Sequence, residues 1–134
     1  MGTEFVIDTH ALVWFLQGDA RLGLKARAVL EDPGSKLVLP AIALAEACHI
    51  VERGRTSIPS SRELLKAVGR DRRIRVAPLT RAIVRRTVDL GSIPEMHDRQ
   101  IAATALRIID RGGDAILLTK DERILASGIV PVIW

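Results

Sequence analysis

Short apolar runs alternate with longer amphipathic runs along this chain, and that order constrains its fold more than any other feature. The strand-like runs cover residues 5–7, 36–39, 74–77, 115–118 and 130–133. The first four are almost wholly apolar, as is typical of parallel strands buried on both faces of a sheet. The last contains Pro131, which suits only an edge strand. Strands that alternate with helices predict a parallel α/β sheet with right-handed crossovers.

The amphipathic runs predict the helices between these strands. Residues 41–52 form an unusually apolar helical run that precedes a glycine. Ile83, Val84 and Val88 recur at helical spacing, so we expect them to share one face of a helix that ends near Gly91. An aliphatic composition with few aromatic residues also suits helices packed on a buried sheet.

Two pairs of residues have the spacing of a capping box, in which a hydroxyl and an acid three residues later close the start of a helix. Ser60 and Glu63 form the first pair, and Thr119 and Glu122 form the second. We therefore expect a helix to begin at each pair. The second helix would place Asp121 in its first turn, directly after the fourth strand.

Four acidic residues lie at or near junctions between strand-like and helix-like runs: Asp8, Glu46, Asp98 and Asp121. Sites in open parallel sheets form beyond the carboxyl ends of the strands. Asp8 and Asp121 follow two such ends, and they face each other if the first and fourth strands are neighbours. Four carboxylates in one pocket repel each other unless a cation lies among them, and all-oxygen ligands suit Mg²⁺ or Mn²⁺.

Each acid also has an ordinary structural explanation. Asp8 and Asp98 stand where a helix N-cap is expected, and Asp121 would favour the helix dipole. Glu46 could be a solvated residue of its helix. The spacing from Glu46 to His49 matches half of a di-iron site, but no second such motif is visible. Only convergence of all four acids at one edge of the sheet would indicate a metal site.

The formal net charge is +4, and most of the positive charge comes from arginine. Arginine side chains match phosphate groups, so a polyanionic partner such as RNA is plausible, although a solvated side chain is the alternative for each arginine. The candidates for docking the RNA backbone are Arg53, Arg55, Arg70, Arg72, Arg73, Arg75 and Arg99.

The single cysteine, Cys48, excludes a disulfide within the chain and a zinc site made of several thiolates. No apolar stretch approaches the length of a transmembrane helix, and no signal peptide is apparent. We therefore expect a cytoplasmic protein without a membrane partner. The length of 134 residues predicts one domain, covering residues 1–134.

At these acids the chain resembles the PIN-domain family, and within it the VapC-type ribonuclease toxins of toxin–antitoxin pairs. The matching segments are residues 6–14, 43–46, 97–105 and 117–121. The resemblance implies a three-layer α/β/α fold with a five-stranded parallel sheet in the order 3-2-1-4-5. It also implies that Asp8, Glu46, Asp98 and Asp121 are catalytic and hold one or two Mg²⁺ or Mn²⁺ ions, with the Thr119 hydroxyl near the metal.

The function that the resemblance implies is metal-dependent hydrolysis of RNA phosphodiester bonds by the toxin of a type II toxin–antitoxin system. Thr119, Arg99 and Arg53 are the candidates for substrate binding. The implied partners are a small cognate antitoxin and a second copy of the chain in a homodimer. The alternatives are a housekeeping nuclease with the same chemistry and a non-catalytic interaction module. A receiver-type signalling domain would need an acid after the third strand, which the segment 74–78 lacks.

Overall fold

A parallel sheet forms the middle layer of the computed structural model, which describes residues 2–134. Its strands are β1 (Glu4–Ile7), β2 (Lys36–Pro40), β3 (Ile74–Ala77), β4 (Ala115–Leu118) and β5 (Val132–Ile133). They lie in the order β3-β2-β1-β4-β5, and every neighbouring pair is parallel. The expected sheet and strand order are confirmed, and Met1 lies outside the described residues.

Helices cover both faces of the sheet, as the three-layer prediction requires. They are α1 (Thr9–Leu16), α2 (Leu24–Glu31), α3 (Ala41–Glu52), α4 (Ser61–Arg70), α5 (Arg81–Thr87), α6 (Met96–Asp110) and α7 (Glu122–Ser127). Helix α3 packs against α1, α4 and α6, while α5 packs against α6. This packing brings the starts of α1 and α6 and one side of α3 close to the carboxyl ends of the central strands.

The two central strands fix the position of the acidic residues that follow them. The side chains of Ile7 and Leu118 are fully buried, and these two residues are paired in the register of β1 and β4. Asp8 and Thr119 therefore leave the sheet side by side, because each is the next residue of its strand. The apolar strands thus determine where the polar residues emerge.

No helix within residues 2–134 is both long and apolar enough to cross a membrane.

The prediction for the helix after β3 is wrong in both its length and its apolar face. Helix α5 ends at Thr87, well before Gly91, and the side chains of Val84 and Val88 are 48% and 76% exposed. Ile83 is the buried residue of this helix. The chain leaves the helix after Thr87, and Leu90 in the following loop is buried in place of the two valines. Helical spacing alone did not reveal that the helix stops early.

One of the two predicted capping boxes begins a helix as expected. The Ser60 hydroxyl accepts a hydrogen bond from the Glu63 backbone N–H at 3.2 Å and caps α4. The second prediction is wrong, because α7 is capped by Asp121 rather than by Thr119. The Thr119 hydroxyl instead accepts a bond from the backbone N–H of Asp121 at 3.1 Å. Asp121 therefore precedes the helix and does not belong to its first turn.

Candidate functional site

A cleft of about 550 Å³ lies at the carboxyl ends of β1 and β4. It is lined by Asp8, Thr9, His10, Trp14, Glu46, Glu95, His97, Asp98, Ile101, Lys120 and Asp121. The four acids singled out from the sequence all line this cleft, and Glu95 adds a fifth carboxylate. The fold therefore brings together residues that are as much as 113 positions apart, from Asp8 to Asp121.

Asp8 is held in place by the start of the first helix. Its carboxylate caps α1 and accepts a hydrogen bond from the Ala11 backbone N–H at 2.8 Å. Burial raises the pKa of Asp8 above its usual range, and the adjacent Thr119 hydroxyl opposes that rise. Thr119 is itself only 1% exposed and does not line the cleft. The cap explains the position of Asp8 but not its burial beside other acids.

Asp98 lies in the first turn of α6 and is not the N-cap of that helix. The cap is Glu95, whose carboxylate accepts a hydrogen bond from the Asp98 backbone N–H at 3.0 Å. Partial burial, followed by the charges of Asp121, Glu95, Glu46 and Asp8, raises the pKa of Asp98 to about 6. Asp98 thus experiences the mutual repulsion of the whole acidic group.

Glu46 projects from α3 into the cleft and is not an ordinary solvated residue. Its carboxylate accepts a hydrogen bond from the Thr9 hydroxyl at 2.9 Å, and its other oxygen lies 3.1 Å from Nδ1 of His97. The same His97 nitrogen lies 3.3 Å from the Glu95 carboxylate. Thr9 and His97 therefore fix the direction in which Glu46 points.

Several lining residues were not assigned to the site from the sequence, among them Glu95, His10 and Trp14. Glu95 stands three positions before Asp98, which is the spacing between an N-cap residue and the backbone N–H that donates to it, so the local sequence contained a signal for it. Trp14 is mainly a core residue, since its side chain is 6% exposed. No sequence signal identifies the edge of a core tryptophan as part of a cleft.

The donor chemistry of the cleft suits a hard divalent cation. Carboxylate oxygens are the ligands that Mg²⁺ and Mn²⁺ prefer, and a cation would relieve the repulsion that raises the pKa of Asp98. The side chains do not form a closed cage, because no group of three His, Cys, Asp or Glu residues within 2–134 is already placed as a metal ligand set. The residues fit a metal in kind and location, and Asp8 and Glu46 also have hydrogen-bond partners in the protein.

The arginines proposed to bind substrate lie outside the cleft lining. The Arg99 guanidinium donates to the backbone carbonyl of Ile93 and so anchors the loop before α6. Arg53 follows α3, and its guanidinium lies 3.5 Å from Nε2 of His49. Neither side chain contacts the acidic group, so their assignment to substrate binding remains a prediction.

The arginine cluster around β3 lies near the amino ends of the strands, whereas the acids lie at the carboxyl ends. Arg73 precedes β3, pairs with Asp71 at 2.7 Å and donates to the backbone carbonyls of Leu30 and Asp32. Arg75 pairs with Glu4 at 3.1 Å. Arg73 is thus a structural connection between the segment before β3 and the C-terminal end of α2, and its side chain is not available to hold a substrate at the cleft.

The fold and the cleft together define a parallel α/β protein with an acidic site where its two central strands end. The chain belongs to the PIN domain family, whose model matches residues 5–127. The family resemblance noted in the sequence is thereby confirmed. No curated protein matches the chain by sequence.

Solved structures share this fold at low sequence identity. The chain is similar to VapBC2 from Rickettsia felis bound to a DNA fragment from their promoter, with a TM-score of 0.69, 15% identity and 98% of each chain covered. For VapBC-1 from nontypeable Haemophilus influenzae the TM-score is 0.66 at 16% identity, covering 98% of this chain and 97% of that chain. For FitAcB from Neisseria gonorrhoeae it is 0.65 at 16% identity, covering 97% and 96%. These likenesses show the fold.

Proposed function

We propose that this protein is a Mg²⁺- or Mn²⁺-dependent endoribonuclease of the VapC type, the toxin of a toxin–antitoxin pair. The observation that carries the proposal is the convergence of five carboxylates on one cleft of a PIN domain. A cluster that raises the pKa of Asp98 to about 6 costs folding energy, and binding of a cation offsets that cost. PIN domains are generally nucleases, which agrees with such a site.

In the proposed site Asp8, Glu46, Asp98 and Asp121 would hold one or two ions. When bound there, such an ion would supply Lewis-acid activation of a water and would offset negative charge on the phosphodiester. The protein contributes position: the α1 N-terminus holds Asp8, and Thr9 and His97 hold Glu46. The family resemblance leads us to expect products with a 5′-phosphate and a 3′-hydroxyl.

Metal titration of the purified protein, together with RNA cleavage assays on the same samples, tests this proposal. We expect Mn²⁺ to bind the wild type in calorimetry and to support cleavage of single-stranded RNA, and we expect EDTA to abolish cleavage. Glu46→Gln should lose metal affinity and cleavage while remaining folded. Asp89→Asn is the control, because Asp89 is an exposed acid outside the cleft. Full metal-dependent cleavage by Glu46→Gln would contradict the site.

The proposed partners are a small antitoxin and a second copy of this chain. Two of the similar structures are VapBC proteins from other organisms, which supports an antitoxin partner by analogy of fold. Co-expression with the product of the neighbouring reading frame should yield a complex that does not cleave RNA, and light scattering should give the mass of a dimer for the free protein. Growth arrest on expression, relieved by that product, distinguishes a toxin from a housekeeping nuclease.

A non-catalytic interaction module is the second alternative. Such a module would keep the fold without needing the acidic cleft, so its carboxylates would bind no metal. Calorimetry that shows no Mn²⁺ or Mg²⁺ binding to the wild type would favour this alternative over an enzyme. The raised pKa of Asp98 argues against it, because a module without a ligand gains nothing from the repulsion among these acids.

A further inference from the structure

One side of the acidic cleft has the opposite chemical character. The His10 ring packs on Trp14 with ring centroids 5.3 Å apart, and the Lys120 ammonium lies 4.7 Å from the centroid of the Trp14 ring. All three residues line the cleft, and we call them the cationic-aromatic wall. Among the lining residues Lys120 is the one lysine or arginine. The cleft therefore has an acidic part and a part that attracts anions.

Lys120 lies among acids but, in the part of the chain that the structure describes, pairs with none of them. It directly precedes Asp121 and shares the cleft with five carboxylates, yet none of the ion pairs within residues 2–134 includes it. Its ammonium lies over the indole ring instead. A cation–π contact at an exposed site is weak and leaves the ammonium able to contact a second group. Lys120 is thus positioned in the cleft and free to bind an anionic group.

Trp14 supports this wall rigidly. Its ring meets Trp134 edge-on with centroids 5.9 Å apart, and the Arg21 guanidinium lies 4.7 Å from the same ring. The buried indole cannot itself stack on a ligand, because only 6% of Trp14 is exposed. The His10 ring is exposed, and it rests on Trp14 beside the cleft. His10 therefore presents an aromatic surface whose orientation the buried tryptophan fixes.

We infer that the cationic-aromatic wall is the substrate side of the cleft. Lys120 binds a backbone phosphate next to the scissile bond as a point charge, and His10 stacks on the adjoining base of single-stranded RNA. This inference rests on the proposed function. The cationic-aromatic wall gives the otherwise negative cleft the groups that bind a polyanion. The arginines around β3 lie near the amino ends of the strands and cannot supply such groups to the cleft.

The test measures KM and kcat for cleavage of a single-stranded RNA oligonucleotide in Mn²⁺ at several salt concentrations. We expect Lys120→Met to raise KM about tenfold, the equivalent of about 1.4 kcal/mol, with kcat nearly unchanged. The negative slope of log(kcat/KM) against log salt should become shallower by about 0.7, the value for one phosphate contact in a single strand. Lys120→Arg should retain most of the affinity.

Arg123→Met is the matched control. Arg123 is an exposed cation three residues further on, at the start of α7, and it does not line the cleft. Its removal lowers the net charge equally, so KM and salt slope should remain close to those of the wild type. His10→Ala should raise KM, and His10→Phe should restore it, because phenylalanine keeps the stacking surface without an ionisable group.

The outcomes separate this inference from the proposed function. If the wild type cleaves RNA and Lys120→Met has the same KM and salt slope, the inference about the wall is wrong. The proposed nuclease function would then still stand. A fall in kcat at constant KM would also overturn the inference about the wall, because Lys120 would then act on the acids and not on the substrate. Failure of the wild type to cleave RNA in Mg²⁺ or Mn²⁺ would overturn the proposed function and the inference with it.

Discussion

Replacing Asp98 with asparagine should stabilise the metal-free protein at neutral pH, although it removes a residue of the candidate site. Burial and four neighbouring acids raise the pKa of Asp98 from 3.8 to about 6. A tenfold change in acidity corresponds to about 1.4 kcal/mol, so the full effect would be about 3 kcal/mol. The side chain is partly exposed, and solvent screening reduces this to about 1–2 kcal/mol.

A second effect acts in the opposite direction and has its own control. Asp98 is the third residue of α6, where a negative charge favours the helix dipole by about 0.3–1 kcal/mol. Glu63 occupies the same position of α4 outside the acidic cleft, so Glu63→Gln measures this loss together with that of its exposed ion pair with Lys66. We expect Asp98→Asn to gain about 1 kcal/mol net at pH 7.5 in EDTA, or roughly 3–5 °C in Tm for a domain of this size.

The pH dependence follows from the direction of the pKa shift. A carboxyl group whose pKa is raised by folding is ionised more readily in the unfolded chain, so it lowers stability as pH rises through the interval between the two values. The gain from Asp98→Asn should therefore be absent well below pH 3.8, grow as the pH rises from 3.8 to about 6, and level off above that interval. Urea unfolding in EDTA from pH 4 to 8 measures it. A variant less stable than the wild type at pH 7.5, after the Glu63→Gln correction, would refute the proposed repulsion among the acids.

Three further predictions concern the metal and the frame around the site. Added Mn²⁺ should raise the Tm of the wild type and not that of Asp98→Asn; equal increases would place the metal elsewhere. Arg73→Met should destabilise the protein by about 1.5–3 kcal/mol in urea, since it removes an ion pair and two carbonyl contacts; an unchanged midpoint would show that Arg73 is not a structural connection. Gly23→Ala should cost about 1–3 kcal/mol, because its Cβ would meet Trp134 at 2.4 Å, whereas Gly69→Ala in open helix space should gain about 0.5–1 kcal/mol.

The sequence predicted the parts of the fold that depend on local pattern. Apolar runs that end in a polar residue located β1 and β4, and the pairing of Ile7 with Leu118 then brings Asp8 and Asp121 to the same edge. Glu46 could not be assigned from its helix alone, because its direction depends on contacts with Thr9 and His97 that lie far away in the chain.

Two of the errors show what spacing and charge leave undetermined. Val84 and Val88 have helical spacing but are exposed, because α5 stops before a buried loop takes over the packing. Arg73 looked like a docking residue, yet carbonyl groups from the segment before β2 bind it. Charge and spacing are properties of a residue, whereas its partners are set by the way the segments pack.

Mapping the ends of cleaved RNA shows whether the acidic cleft hydrolyses RNA with the help of a metal. Cellular RNA from cells expressing the wild type or Asp98→Ala would be sequenced by methods that distinguish 5′-phosphate from 5′-hydroxyl ends, with purified protein in Mg²⁺ or EDTA as a parallel. We expect new 5′-phosphate ends only with the wild type and only with metal. Equal cleavage by Asp98→Ala, or 5′-hydroxyl ends formed in EDTA, would contradict a metal-dependent carboxylate site.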